Sequence, residues 1–214
     1  MSHTTSTIDY KRKEILSSLS KSAGLVIRGK RCMVVILKSR HTLAFQKSSE
    51  EKNRIFVWAI GGSESDIRNY KTEINHFLAG FSNIFSKRDL NIQAVHDFTT
   101  SYLRYKFYNT KSAEPAILEL ILGELTEKSM LFYTINHTGG SGLFFQQGAG
   151  IDVIGCGDDE AKRKLIDKLS ILKMENLTAE EIIKKVPPNL RSYLGEFYGL
   201  AFVIEDKKNK KRRA

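Results

Sequence analysis

The sequence predicts an α+β fold, a four-layer αββα sandwich in which two antiparallel sheets lie between two pairs of helices. Apolar strand-like runs occur in consecutive blocks, and this grouping favours antiparallel hairpins over alternating strand–helix–strand units. Amphipathic helical stretches also come in consecutive pairs, which indicates two helical layers. The chain of 214 residues is long enough to form one domain of this kind.

The first half of the chain is predicted to contain one short helix, four strands and a pair of longer helices, in that order. Apolar residues spaced among lysines and arginines indicate the short helix at residues 8–20. Ser63 is the expected N-cap of a long helix that reaches Phe81, and a second helix is expected over 90–105. The four strands are predicted from apolar and β-branched runs at 24–28, 32–37, 42–46 and 54–60.

The second half repeats the order of strands followed by helices. A third helix is expected over 159–169, and Thr178-Ala-Glu-Glu181 has the spacing of a capping box that opens a fourth. A last strand is predicted at 199–204. Four strands are predicted before the helices, at 116–122, 130–135, 143–146 and 151–154.

The net charge of +10 is concentrated at the C-terminus, where the segment from Lys207 to Arg213 supplies six positive charges. A like-charged block of this kind is expected to be a solvated, disordered tail at 206–214. A nuclear-localisation patch and a weak nucleic-acid contact are the alternatives for this tail. The predicted organisation is therefore a mobile leader with the short helix at 1–21, the sandwich domain at 22–205, and the basic tail.

Composition and cysteine content favour a folded protein of a reducing compartment. Hydrophobic residues make up 41% of the chain. No run approaches the length of about 18 apolar residues that a membrane span needs, so no membrane contact is expected. The polar N-terminus has no apolar core of the kind found in a signal peptide. Cys32 and Cys156 are therefore expected as free thiols, and the cytoplasm and the nucleus are the expected locations.

The stretch from Gly148 to Leu169 has the order of a nucleotide site, with an apolar strand, a Gly155-Cys-Gly157 turn and a helix. However, Glu160 stands where a dinucleotide loop has its third glycine, and Asp158 and Asp159 precede it. Acidic residues suit a helix N-terminus but repel a phosphate bound there. The stretch is therefore expected to be the turn from the second sheet into a covering helix, and no cofactor is expected.

No metal site or active site is predicted from residue spacing. The five histidines do not pair with one another or with a cysteine at the spacing of metal ligands. Cys32 lies in a strand that is predicted to be buried, where a thiol normally packs in the core and is unreactive. The segment His137-Thr-Gly-Gly-Ser-Gly142 lacks the Gly-x-Ser-x-Gly elbow of hydrolases and is expected to be a hairpin turn.

Several short stretches, taken in order, resemble the proteasome-type subunits of the N-terminal-nucleophile hydrolase fold. The matches extend from about residue 8 to 205, and the fold that they imply is the αββα sandwich. The stretches are Ser22-Ala-Gly-Leu-Val-Ile-Arg-Gly-Lys30 with Met33-Val-Val-Ile-Leu-Lys-Ser-Arg40, Ala59-Ile-Gly-Gly-Ser-Glu-Ser-Asp66, Leu131-Phe-Tyr-Thr-Ile-Asn-His-Thr-Gly139, Ile154-Gly-Cys-Gly-Asp-Asp-Glu-Ala161 and Leu177-Thr-Ala-Glu-Glu-Ile182.

The sequence departs from the catalytic members of this family at the positions that carry their chemistry. Those members expose a threonine nucleophile at the start of the first strand, whereas Ser22-Ala-Gly24 stands here. The acidic residue at the end of their second strand is replaced by Leu37-Lys38, and their activating lysine has no clear counterpart. Cys156 and Asp158 stand where they carry serines. The resemblance therefore implies a non-catalytic subunit.

The amphipathic segment before the first strand favours the alpha type, whose members carry an N-terminal helix across the top of their ring. Residues 22–40 look most like the alpha subunit at the sixth ring position. The gate candidates are Ile8, Asp9 and Tyr10, which weakly resemble the family's gate motif. Lys52 and Arg54 are the nearest matches to the basic residue that receives an activator's C-terminal carboxylate, and an ordinary strand-flanking charge is the alternative interpretation.

The partners that the resemblance implies are two neighbouring alpha subunits, the beta subunits of the 20S core, and a regulatory ATPase or other activator. Two other hypotheses remain open at this stage. One is an inactive beta-type subunit of the inner ring, for which residues 1–21 would be a removable leader. The other is a nucleic-acid-binding protein that acts through its basic tail, although nucleic acid is not the partner expected here.

Overall fold

The computed structural model describes residues 23–30, 32–37, 42–49, 54–84, 90–109, 115–126, 129–143, 150–155, 159–186 and 200–205. These residues form an α+β fold with two antiparallel sheets and four α-helices, which confirms the predicted fold class at this level. The short helix expected at 8–20, the residues Cys156 to Asp158 and the basic tail lie outside the described residues.

The nine described strands divide into a sheet of four and a sheet of five. The four-stranded sheet has the order β8-β1-β2-β9, and the five-stranded sheet follows the chain as β3-β4-β5-β6-β7. The strands are β1 (Ala23–Gly29), β2 (Cys32–Leu37), β3 (Thr42–Ser49), β4 (Arg54–Gly62), β5 (Leu118–Leu125), β6 (Met130–Ile135), β7 (Ser141–Leu143), β8 (Ile151–Gly155) and β9 (Leu200–Glu205).

The helices come in two consecutive pairs, as the sequence predicts. The first pair is α1 (Glu64–Ile84) and α2 (Ile92–Tyr108), and the second is α3 (Asp159–Ser170) and α4 (Ala179–Lys185). A 3-10 helix at Met174–Asn176, which the sequence did not predict, joins the second pair. The predicted capping box is confirmed, since the Thr178 side chain accepts from the Glu181 N–H and the Glu181 carboxylate accepts from the Thr178 N–H.

The strand before the glycine turn joins a different sheet from the one expected. β8 pairs with β1, with Leu25 opposite Val153 and Ile27 opposite Ile151, so it belongs to the sheet of the opening hairpin. β9 pairs with the other side of that hairpin, along β2. The hairpin offers two unpaired edges, and strands from distant parts of the chain satisfy the backbone hydrogen bonds of both. The order of strands along the chain indicates which strands form hairpins. It does not show which sheet a later edge strand joins.

Three buried hydrophobic clusters follow the two-residue period of the strands. One joins the two sheets and includes Val26 and Val35 from the first sheet with Val57, Ile121 and Phe132 from the second. The residues between these on the strands point the other way and pack against helices. Leu25, Ile27 and Val34 contact the cluster formed with α3 and α4, and Phe56, Trp58 and Ile60 lie in the cluster formed with α1 and α2.

Two strand boundaries differ from the prediction for local reasons. β5 begins at Leu118 and not at Ala116, because the backbone of Ile117 bonds with Ser63 and with the Asp66 carboxylate outside the sheet. β7 begins at Ser141 and not at Leu143, because the Asn136 N–H donates to the Gly140 carbonyl and closes the turn earlier. Polar contacts of this kind leave no hydrophobic period in the sequence.

Tyr70 joins α1 to α2 through a buried hydrogen bond. The Thr99 hydroxyl has a single proton and donates it to the Val95 carbonyl at 2.7 Å. The Tyr70 hydroxyl is therefore the donor in its 2.8 Å contact with Thr99 Oγ1. Burial raises the pKa of the Tyr70 phenol, because the charged form would be poorly solvated. Burial likewise raises the pKa of Tyr102 to about 12.

We expect Tyr70→Phe to lower the free energy of unfolding at pH 7 by about 1 kcal/mol, the usual contribution of one hydrogen bond. The pKa of Tyr70 is raised in the folded state, so the protonated phenol stabilises the fold. This stabilisation is fully present below the pKa of an unfolded tyrosine, about 10, and is lost as the pH rises above that value. The variant should therefore lose less stability than the wild type between pH 9 and about 11. Urea unfolding at these pH values tests this, with the exposed Tyr105→Phe as the control that should match the wild type. An equal decline in Tyr70→Phe and wild type would contradict it.

Candidate functional site

Of the residues proposed from the sequence for gating and activator contact, the structure describes Arg54 alone. Lys52, Ile8, Asp9 and Tyr10 lie outside the described residues. Arg54 is the first residue of β4, and its Nε lies 3.0 Å from Glu124 Oε1 on the neighbouring strand β5. Its guanidinium also donates to the carbonyl of Leu90, just before α2.

The Arg54–Glu124 pair is largely removed from solvent. The two side chains are 16% and 11% exposed, respectively. The guanidinium therefore links β4, β5 and the segment that leads into α2, and an activator carboxylate would have to compete with Glu124 for it. The activator role of Arg54 stays a prediction, and the observed geometry is that of a structural ion pair.

The junction between β4 and α1 is the part of the family resemblance that the structure describes best. The Ser63 Oγ accepts from the Asp66 N–H and donates to the Asp66 carboxylate, which caps the first turn of α1. Asp66 Oδ2 also accepts from the Ile117 N–H at 3.0 Å, and the Ser63 N–H donates to the Ile117 carbonyl at 3.0 Å. The acidic residue of this motif therefore fixes the entry of α1 against the chain that enters β5.

Gly62 at this junction has no room for a side chain. Its φ is +154°, a conformation that residues with a side chain rarely adopt. A Cβ built on it would lie 1.9 Å from the Ile117 carbonyl oxygen. This backbone atom already accepts a hydrogen bond from the Ser63 N–H. The glycine before the capping serine is thus required by the close approach of two backbone segments.

A second polar group joins the start of α2 to the hairpin of β6 and β7. His96 Nε2 lies 2.9 Å from Ser141 Oγ, and His96 Nδ1 lies 3.1 Å from Asp97 Oδ1. The Gln93 side-chain amide donates to Asp97 Oδ1 at 2.7 Å, and the Tyr133 hydroxyl donates to Gln93 Oε1 at 3.4 Å. The His96 ring also packs on the ring of Tyr133, with 4.4 Å between centroids.

Sequence spacing gave no signal for this second group. His96 and Ser141 are 45 positions apart and lie on a helix and a strand, so only the packing of α2 on β6 brings them together. The sequence pairs no histidine with another histidine or with a cysteine at metal-ligand spacing, and this pattern carries no information on the contact of His96 with Ser141. The expectation for Cys32 is confirmed as far as burial goes, since this thiol is buried in the cluster below α3 and α4.

Within the described parts of the chain, no three His, Cys, Asp or Glu side chains are grouped so that they could hold a metal ion. None of the helices described has both the length and the apolar character needed to cross a membrane.

In comparisons with known proteins, no protein-family model matches the chain. No match is found among curated proteins either.

Proposed function

We propose that the chain is a non-catalytic alpha-type subunit of a 20S proteasome core particle and folds as the four-layer αββα sandwich of N-terminal-nucleophile hydrolases. It would occupy one place in the outer seven-membered ring, which controls substrate entry and docks activators in ubiquitin-dependent degradation. The proteolytic threonines would be supplied by beta subunits of the inner rings. The protein would act in the cytoplasm and the nucleus.

The packing of the two sheets is the observation that supports this proposal most. One hydrophobic cluster lies between the sheets, and the outer face of each sheet packs against its own pair of helices. The family resemblance implies this order of layers. The first sheet is built around the opening hairpin, which contains the first of the quoted matching stretches.

The β4–α1 junction adds a local observation in favour. The family resemblance is carried there by a glycine, a polar cap and an aspartate, and each has a definite task in the structure. The absence of threonine from the start of β1 favours a structural subunit over a catalytic one, since Ala23 begins that strand.

We expect the endogenous protein to be recovered in a large particle together with other proteasome subunits. Native mass spectrometry of the protein purified through an affinity tag tests this, and the tag belongs at the C-terminus so that residues 1–21 are untouched. A lone species of 24.3 kDa without proteasome partners would refute the assembly.

The same sample separates the alpha-type proposal from the beta-type alternative. An alpha-type subunit should keep residues 1–21 in the assembled particle, whereas a processed beta-type subunit should have lost them. Intact-mass measurement of the subunit after dissociation decides between the two. A particle that contains a chain beginning near Ser22 would favour the inner ring.

A further inference from the structure

We propose that Ser141, His96 and Asp97 form a serine-nucleophile site that acts on small activated carboxylic esters. This inference does not depend on the assembly proposed above, because the three residues lie within one domain of one chain. The term non-catalytic above refers to the threonine protease chemistry of proteasome beta subunits, and the ester hydrolysis inferred here is a separate activity.

The two contacts of the His96 ring are compatible with the proton positions that such a site needs. An ionised carboxylate only accepts hydrogen bonds, so the 3.1 Å contact with Asp97 Oδ1 places the ring proton of His96 on Nδ1. In the neutral imidazole, Nε2 is then the acceptor, and the Ser141 hydroxyl donates to it across 2.9 Å. This is the arrangement in which an imidazole acts as general base toward a serine hydroxyl.

Neighbouring side chains hold this arrangement in place. The Gln93 amide donates to the same Asp97 oxygen that receives the His96 proton, and Tyr133 in turn donates to Gln93. The His96 side chain is 12% exposed and packs on the Tyr133 ring, so its orientation is restricted. Asp97 and Gln93 are positioning residues, whereas His96 and Ser141 would contact the reacting atoms.

The backbone at Ser141 offers a donor for the oxyanion. The Asn136 N–H bonds to the Gly140 carbonyl, and Ile135 lies opposite Ser141 in the next pair along the hairpin. Bonded and non-bonded pairs alternate in an antiparallel ladder, so the Ser141 N–H points away from β6. β7 is the edge of its sheet among the described strands, so this N–H faces outward beside the nucleophile.

The reaction that this geometry supports is ester hydrolysis in two steps. Ser141 Oγ bonds to the ester carbonyl carbon while its proton passes to His96 Nε2, and His96 then gives that proton to the departing alkoxide as the carbon–oxygen bond breaks. Water attacks the acyl-serine, and His96 takes the water proton and returns it to Ser141 Oγ. One ester and one water give one acid and one alcohol. Ser141 is exposed, so an ester can reach it directly from solvent. Small esters with good leaving groups are the substrate class, because they react without extensive binding contacts.

A fluorophosphonate probe on the purified full-length protein tests the site, with the labelled position mapped by peptide mass spectrometry. We expect Ser141 to be labelled in the native protein and not after heat denaturation. His96→Gln should lower the rate of labelling at least about 100-fold, the usual contribution of a general base. Hydrolysis of p-nitrophenyl acetate should follow the same pattern and be lost in Ser141→Ala.

Two further variants separate catalysis from a structural contact. Asp97→Asn should slow labelling and change its pH profile, and Asp97→Glu should recover part of the rate, because Asp97 acts by holding the His96 tautomer. Ser101→Ala, at an exposed serine on α2, should leave labelling at Ser141 unchanged. Circular dichroism confirms that each variant is folded. Labelling that is absent, equal after denaturation, or unchanged in a folded His96→Gln variant would overturn the proposal.

Discussion

Gly62→Ala is expected to destabilise the protein by about 3 kcal/mol or more, enough to leave much of it unfolded. The added Cβ would lie 1.9 Å from the carbonyl oxygen of Ile117, and the φ of +154° is unfavourable for alanine as well. The clash is with backbone, so no side-chain rotation relieves it. Ile117 would have to move away, and its hydrogen bonds with Ser63 and Asp66 would break.

Gly80→Ala is the matched control for this prediction. Gly80 lies within α1, and a Cβ there meets no atom within 4 Å. Alanine favours a helix over glycine by about 0.8–1 kcal/mol, so this variant should be as stable as the wild type or more stable. Thermal and urea unfolding of the two variants provide the comparison. A Gly62→Ala protein with wild-type stability would show that the approach of β4 to Ile117 is not as close as described.

Arg54→Ala should lower the free energy of unfolding by about 3 kcal/mol, near the lower end for breaking a buried ion pair. The variant leaves the Glu124 carboxylate, whose side chain is 11% exposed, without its 3.0 Å partner. It also removes the donor to the Leu90 carbonyl. The combined change Arg54→Met and Glu124→Leu should recover most of the loss, because both charged side chains of the pair are then replaced by apolar ones.

Arg68→Ala is the control for the ion pair. Arg68 bonds to Glu64 one turn earlier on α1, and these side chains are 77% and 53% exposed. Exposed pairs contribute about 0.5 kcal/mol or less, so this variant should unfold almost as the wild type does. A double-mutant cycle in urea measures both couplings. Equal losses in Arg54→Ala and Arg68→Ala would contradict the structural role of the first pair.

The Arg54 result also decides how activator experiments should be interpreted. If Arg54→Ala is unstable, weaker activator binding by that variant says nothing about a direct contact. Lys52→Ala is then the informative variant, and it should weaken activator binding without loss of stability if Lys52 is the contact. Measuring both properties on the same preparations keeps the two explanations apart.

Much of the fold could be predicted because it depends on periodic burial. β2 and β6 match their predicted bounds; residues 32–36 of β2 are buried, and Phe132 and Ile135 of β6 are buried. The Thr178 cap was predicted because both partners lie within four residues. The short 3-10 helix at Met174–Asn176 was missed, because three residues are too few to show a helical period.

The polar contacts of the candidate sites could not be predicted in the same way. Arg54 was singled out as an activator-contact candidate, with a strand-flanking charge as the alternative, and its partner Glu124 lies 70 positions away on β5. The contact of His96 with Ser141 was not predicted, since Ser141 is reached only across the surface where α2 meets β6. Single charged or polar residues carry no spacing signal when their partners are far along the chain.

By itself, the sequence determined the α+β class, the order of the elements and most of the faces that they bury, because hydrophobic period and helix caps are local properties. Only the tertiary structure decided that β8 joins the opening hairpin, that Gly62 meets Ile117, and that His96 meets Ser141. Each of these depends on two segments far apart in the chain. Their approach is set by the packing of whole sheets and helices, which no local pattern encodes.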